Sequence, residues 1–118
     1  MAAIPVSQQA PVEVSAEDKG KRIFARCRAC HTLPEGGKNR VGPNLWNIIG
    51  RTAGSAEGYA YSKAMKTSEV VWSEEALSAY LEKPSAYMPK NKMAFAGLRK
   101  QADRDNLIAY LKANTESQ

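Results

Sequence analysis

No run of about eighteen consecutive apolar residues occurs in this 118-residue sequence, so no segment of it reads as a membrane-spanning helix. Histidine occurs once, at His31, and cysteine twice, at Cys27 and Cys30. A four-ligand zinc site demands more of these residues than are present, and if His31 is committed to a metal no imidazole remains for a hydrolytic triad or an acid–base group. Aromatic residues make up 8% of the chain. That is a thin stock for a domain of this size, which buries only about two-thirds of its unfolded surface. A large apolar cofactor would make up the deficit. Strand-like alternation never lasts more than a few positions, and no repeat is visible. The class is all-α.

What is present reads in order along the chain. Residues 1–14 carry two prolines and no apolar period. They are expected to be a flexible tail or linker, without the basic and long apolar regions of an export signal. If the protein is exported, a signal or a membrane anchor lies upstream of them. Residues 15–118 are expected to form one domain. Ser15 to Asp18 have capping-box spacing, predicting a helix that runs to about Cys27 with Gly20, Ile23 and Phe24 on one side. Asn44 to Ile49 suit one or two helical turns, and the three glycines between Gly50 and Gly58 predict loop. A short helix is expected over 62–66. Ser73 opens a clearer one that Pro84 stops, residues 84–100 are loop-rich, and a last helix covers about 102–114.

Net charge is +5, but it is unevenly spread. Lys19 to Arg51 holds eight basic residues against Glu35 alone, and Lys83 to Lys100 holds five with no acid. Between these stretches acids dominate. A basic face of this kind meets nucleic acid, anionic lipid or an acidic protein.

Cys27-Arg28-Ala29-Cys30-His31 carries the chemistry. Two thiols at this spacing can add to the two vinyl groups of one haem, and the next residue offers an imidazole to the iron. Both vinyls and the iron sit at fixed distances in a rigid macrocycle, so the five-residue pattern is far more specific than two spaced cysteines. A thioredoxin-like dithiol would want a βαβ setting, which is absent. Zinc would need a fourth ligand. A disulfide this local would close too short a loop to stabilise much. With His31 on iron, the other axial position separates an electron carrier from a peroxidase-like or gas-binding protein with an open iron. Met65, Met88 and Met93 are candidates for it, with Lys90 and Lys92 as outsiders. Met65 reads as helix filler, and composition does not choose between Met88 and Met93. Soft thioether sulfur suits ferrous iron better than either lysine.

Several blocks together resemble a class I cytochrome c, the bacterial kind close to mitochondrial cytochrome c. They include Gly20 to Phe24, Cys27 to Thr32, Gly42-Pro43-Asn44-Leu45, Gly50-Arg51, Tyr59 to Ser62, Val71-Trp72, Tyr80 to Pro84, Lys92 to Gly97 and Leu107 to Leu111. The resemblance runs from about Glu17 to Thr115 and implies about five short helices wrapped around one haem c. The first and last helices would cross where Gly20 and Phe24 meet Leu107 and Tyr110. It implies covalent attachment at Cys27 and Cys30, and axial iron ligands His31 and Met93. Pro43 would accept from the His31 ring, and Tyr80 would lie near the Met93 sulfur. Arg51, Tyr61 and Trp72 would hold the propionates, with Asn91 donating there and Phe95 supporting the pocket. Met88 would pack on the haem.

The sequence departs from the family at Lys90, where glycine is usual, at Asn91 for threonine, at Met65 for a polar residue, and at Ala102 for a helix cap. The resemblance also implies a function. It is a monomeric, non-enzymatic carrier of single electrons between respiratory complexes with acidic docking surfaces, such as a cytochrome bc complex and cytochrome c oxidase. Arg26, Arg28, Lys38, Lys92, Arg99 and Lys100 would form the docking ring, with no nucleic acid as partner. Location would be the periplasm, free or tethered to the inner membrane, ahead of the mitochondrial intermembrane space.

Overall fold

The computed structural model describes residues 15–115; the tail expected over 1–14 lies outside the described residues. Five helices form among those described. α1 (Ala16–Phe24) starts where the Ser15 hydroxyl accepts the Asp18 N–H at 3.1 Å. Glu17 and Asp18 in its first turn and Lys21 and Arg22 in its last oppose the helix dipole at each end. Two more serines repeat the cap. Ser62 accepts from Met65 at the start of α2 (Lys63–Thr67), and Ser73 from Ala76 at the start of α3 (Glu74–Glu82). α3 ends because the residue before a proline is pushed out of helical conformation; Lys83 is extended, at φ −158°. Pro84 then opens α4 (Pro84–Tyr87), at the first-turn position that proline tolerates. α5 (Gln101–Thr115) is the longest element.

Local winding departs from expectation in four places. Regular helix ends at Phe24, not near Cys27; beyond it, N–H bonds from Cys27 to Phe24 and from Cys30 to Cys27 close successive tight turns. Residues 44–49 form a turn. The Asn44 side chain takes the Trp46 N–H at 3.0 Å, a local bond that competes with helical pairing, and Asn47 is left-handed at φ 56°. The expected loop from 84 begins as α4. Ala102 is the second residue of α5 rather than its cap. Among the described residues extended pairing is confined to one antiparallel bridge, Thr52 with Val71.

α1 crosses α5 at Gly20, where a β-carbon would overlap the Asn106 carbonyl. One turn on, the Phe24 and Tyr110 rings lie 5.6 Å apart. Leu107, Ile108 and Leu111 of α5 join Leu77 and Leu81 of α3 in the buried core. Each such side chain contributes roughly 1.5–3 kcal/mol when fully buried. Bonds between loops then fix the frame: Trp72 N–H to Arg51 O at 2.8 Å, and Gly50 N–H to Trp72 O at 2.7 Å. Buried Arg104 ties α5 to the preceding loop through the carbonyls of Leu98 and Arg99 at 2.8 and 2.9 Å. No helix among the described residues is long and apolar enough to cross a membrane.

Candidate functional site

A cavity of about 210 Å³ opens between these elements, walled mostly by apolar side chains. Close-packed interiors hold few voids larger than a water molecule, so a hollow of this size is a binding site rather than a packing fault. Its wall brings together Cys27, Cys30 and His31, from the turns after α1, with Met93 from the loop before α5.

The turns after α1 leave both thiols half-buried and unpaired. Burial, with Cys30 alongside, raises the Cys27 pKa above the usual thiol value, against the pull of Arg26. His31 is held from the neighbouring loop. Its Nδ1 lies 2.8 Å from the Pro43 carbonyl oxygen. A carbonyl only accepts, so Nδ1 carries the proton and Nε2 keeps its lone pair. Burial lowers the His31 pKa, partly opposed by the Pro43 bond and reinforced by the charge of Arg51. The imidazole is therefore neutral, as a metal ligand must be. Gly42 lies flat against this ring; a β-carbon there would collide with it.

On the Met93 side, the Tyr80 hydroxyl sits 3.4 Å from the Met93 sulfur and 3.4 Å from Asn91 Oδ1. Burial pushes the Tyr80 pKa up to about 12, so this phenol keeps its proton. Asn91 also lines the cavity. Its amide Nδ2 donates to the Pro84 and Met88 carbonyls at 3.0 and 2.7 Å. Met88 is buried in the core but is not among the residues lining the cavity. Phe95 and Met65 do line it.

Arg51, Tyr61 and Trp72 form another part of the wall. Arg51 donates from Nη1 to the Trp46 carbonyl at 2.9 Å, while its buried Nε has no partner. A buried, unpaired guanidinium N–H is costly, which fits a site meant to receive an anionic group. Tyr61 accepts the Ala56 N–H at 2.9 Å, and Tyr59 packs against it edge-on. The basic residues divide. Arg26 and Lys92 belong to the cavity wall, Lys92 also donating to the Ala60 carbonyl at 3.0 Å. Arg28, Lys38, Arg99 and Lys100 lie outside it, all four exposed.

Paired thiols, a neutral imidazole with one free nitrogen, a thioether and an orphaned guanidinium N–H together match the chemistry of a haem. The family model for cytochrome c matches residues 17–115. The chain belongs to the cytochrome c family. It is 51% identical to cytochrome c2 of Afifella marina, over 79% of this chain and 77% of that one. It is 52% identical to cytochrome c-550 of Ancylobacter novellus, over 80% and 91%. It is 45% identical to cytochrome c of Kluyveromyces lactis, over 86% and 94%. Like its family, it carries one covalently bound c-type haem with its iron and serves electron transport.

For this cytochrome c, several wall residues escape sequence reasoning. Gly42 figures there only within the Gly42-Pro43-Asn44-Leu45 block, and its contact with His31 follows from tertiary folding. Val41, 76% exposed at the cavity wall, carries no signal of its own. Leu45, Ile48 and Leu77 also line the site, and only helical or loop periodicity hints at their burial.

Proposed function

We propose that this protein is a monomeric, non-enzymatic mono-haem carrier moving single electrons between membrane-bound redox complexes, with a cytochrome bc complex as donor and cytochrome c oxidase as acceptor. The observation that carries the proposal is the meeting of His31, locked by Pro43, and Met93, touched by Tyr80, in one apolar cavity. Cys27 and Cys30 would hold the haem through thioethers, and His31 Nε2 and Met93 Sδ would ligate its iron. Bound there, the haem supplies a one-electron ferric–ferrous couple.

The remaining work belongs to the chain. Pro43 fixes the tautomer and direction of His31. Two protein ligands from a rigid wall leave little to rearrange when an electron arrives or leaves. The apolar wall keeps water away and favours the less charged reduced centre, which raises the potential. Arg51 would offer its unpaired Nε to a propionate, with Tyr61 and Trp72 alongside, and Phe95 would support the pocket. Arg26, Arg28, Lys38, Lys92, Arg99 and Lys100 would steer the protein toward acidic docking sites, speeding encounter without tight binding. The relatives named cytochrome c2 and cytochrome c-550 favour a bacterial setting, so the periplasm, free or tethered, is the proposed location.

A redox titration tests the proposal. Met93→Ala is expected to lower the midpoint potential and admit external ligands to the iron; an unchanged potential would remove Met93 from the role.

A further inference from the structure

Met88, Pro89, Lys90 and Asn91 form a tight turn, closed by the Asn91 N–H on the Met88 carbonyl at 3.3 Å. Pro89 is its second residue. Lys90, the third, has φ 65°, a conformation that suits glycine and strains lysine. The turn therefore needs support from outside its own backbone. Asn91 provides it. Nδ2 gives the Met88 carbonyl a second hydrogen bond at 2.7 Å and bonds the Pro84 carbonyl at 3.0 Å, fastening the turn to α4. On its other side, Oδ1 accepts the Met93 N–H at 2.8 Å and faces the Tyr80 hydroxyl at 3.4 Å. Both donors and one lone pair of this amide are committed, and the other lone pair faces the Tyr80 hydroxyl.

The Tyr80 hydroxyl has one hydrogen and two acceptors at the same distance, Asn91 Oδ1 and Met93 Sδ. A hydrogen bond to the sulfur draws electron density from it and makes it a weaker donor. A bond to Asn91 leaves the sulfur richer.

We infer that Asn91 is a positioning residue with two effects: it holds Met93 in place against the strain at Lys90, and it competes with the Met93 sulfur for the hydrogen of Tyr80. The inference rests on Met93 being the second axial donor. It gives Asn91 a task different from binding a propionate, and makes Lys90 and Asn91 an interdependent pair.

The experiment compares haem-loaded wild type with Asn91→Ala, Tyr80→Phe, Lys90→Gly and the double variants Asn91→Ala/Tyr80→Phe and Asn91→Ala/Lys90→Gly. The readouts are midpoint potential, the ferric absorption band specific to sulfur ligation, and imidazole affinity of the ferric protein. Asn91→Ala is expected to bind imidazole roughly tenfold more tightly, the worth of about one lost hydrogen bond holding Met93. Adding Lys90→Gly should restore most of the original affinity, and it also secures folding if Asn91→Ala alone is too loose. Where the sulfur band persists, Asn91→Ala should raise the potential when the Tyr80 hydroxyl is present and not in the double variant that lacks it. Imidazole affinity and potential both matching wild type would overturn the inference. So would an equal potential shift with that hydroxyl removed, since the effect would then bypass its hydrogen. A wild type lacking the sulfur band would instead overturn the reading of Met93 itself, and the inference with it.

Discussion

Gly20 of α1 lies against the carbonyl oxygen of Asn106 in α5 with no space for a side chain between them. The first and last helices meet here, and Phe24, one turn further along α1, lines the cavity. Gly20→Ala is expected to push α1 off α5. Overpacking of this kind costs about 1–3 kcal/mol, and the overlap is with rigid backbone, which favours the upper end. A denaturant midpoint for the haem-loaded protein, compared with Lys21→Ala one residue along the exposed face, measures it.

Arg104 and Glu82 form an ion pair at 3.3 Å, but the two partners are unequal. Arg104 is buried and also bonds Ser78 and the carbonyls of Leu98 and Arg99, whereas the Glu82 side chain is 59% exposed. Arg104→Ala leaves buried carbonyls unpaired and should cost about 2–4 kcal/mol. Glu82→Gln removes only a solvent-screened charge and should cost less than about 1 kcal/mol. Thermal or denaturant unfolding of the two variants compares them directly, and equal losses would refute the carbonyl-anchoring role.

Tyr80 sets an alkaline limit. Its pKa is about 12 in the fold against 10.0 when exposed, because burial opposes the phenolate. Between these values the unfolded chain releases a proton that the folded one keeps. Stability from this group is therefore whole below pH 10 and falls as pH rises toward 12, with a slope of up to about 1.4 kcal/mol per pH unit. Unfolding free energy measured across this window should decline less steeply for Tyr80→Phe.

Charge steering has a salt signature. Exposed charges are screened beyond about 8 Å at physiological ionic strength. The second-order rate with an acidic oxidase should fall as salt is added, and Arg26→Gln should slow it at low salt while converging with wild type at high salt. Stopped-flow kinetics across an ionic-strength series tests this, and a flat series would contradict it.

The haem motif was legible because its chemistry depends on contiguous residues, Cys27 to His31, whose spacing survives any fold. Helix starts were legible where serine supplies a local cap, as at Ser15, Ser62 and Ser73. Pro84 reads as a stop, which it is for α3; that it also starts α4 depends on the chain turning back, which local pattern does not encode. Asn91 resists for the same reason. Its side chain meets Pro84, Met88, Met93 and Tyr80 only after α3, α4 and the Met93 loop have folded together. Resemblance could assign the position but not these contacts, which an amide makes with two donors and an acceptor where the family has a threonine hydroxyl.

The most direct test of the account is the intact mass of natively produced protein after acid denaturation. The mass of the chain plus one haem, with colour staying on the polypeptide through acid–acetone extraction, is the predicted result. The bare chain mass, with the red colour passing into the solvent, would contradict attachment at Cys27 and Cys30 and the electron-carrying reading built on it.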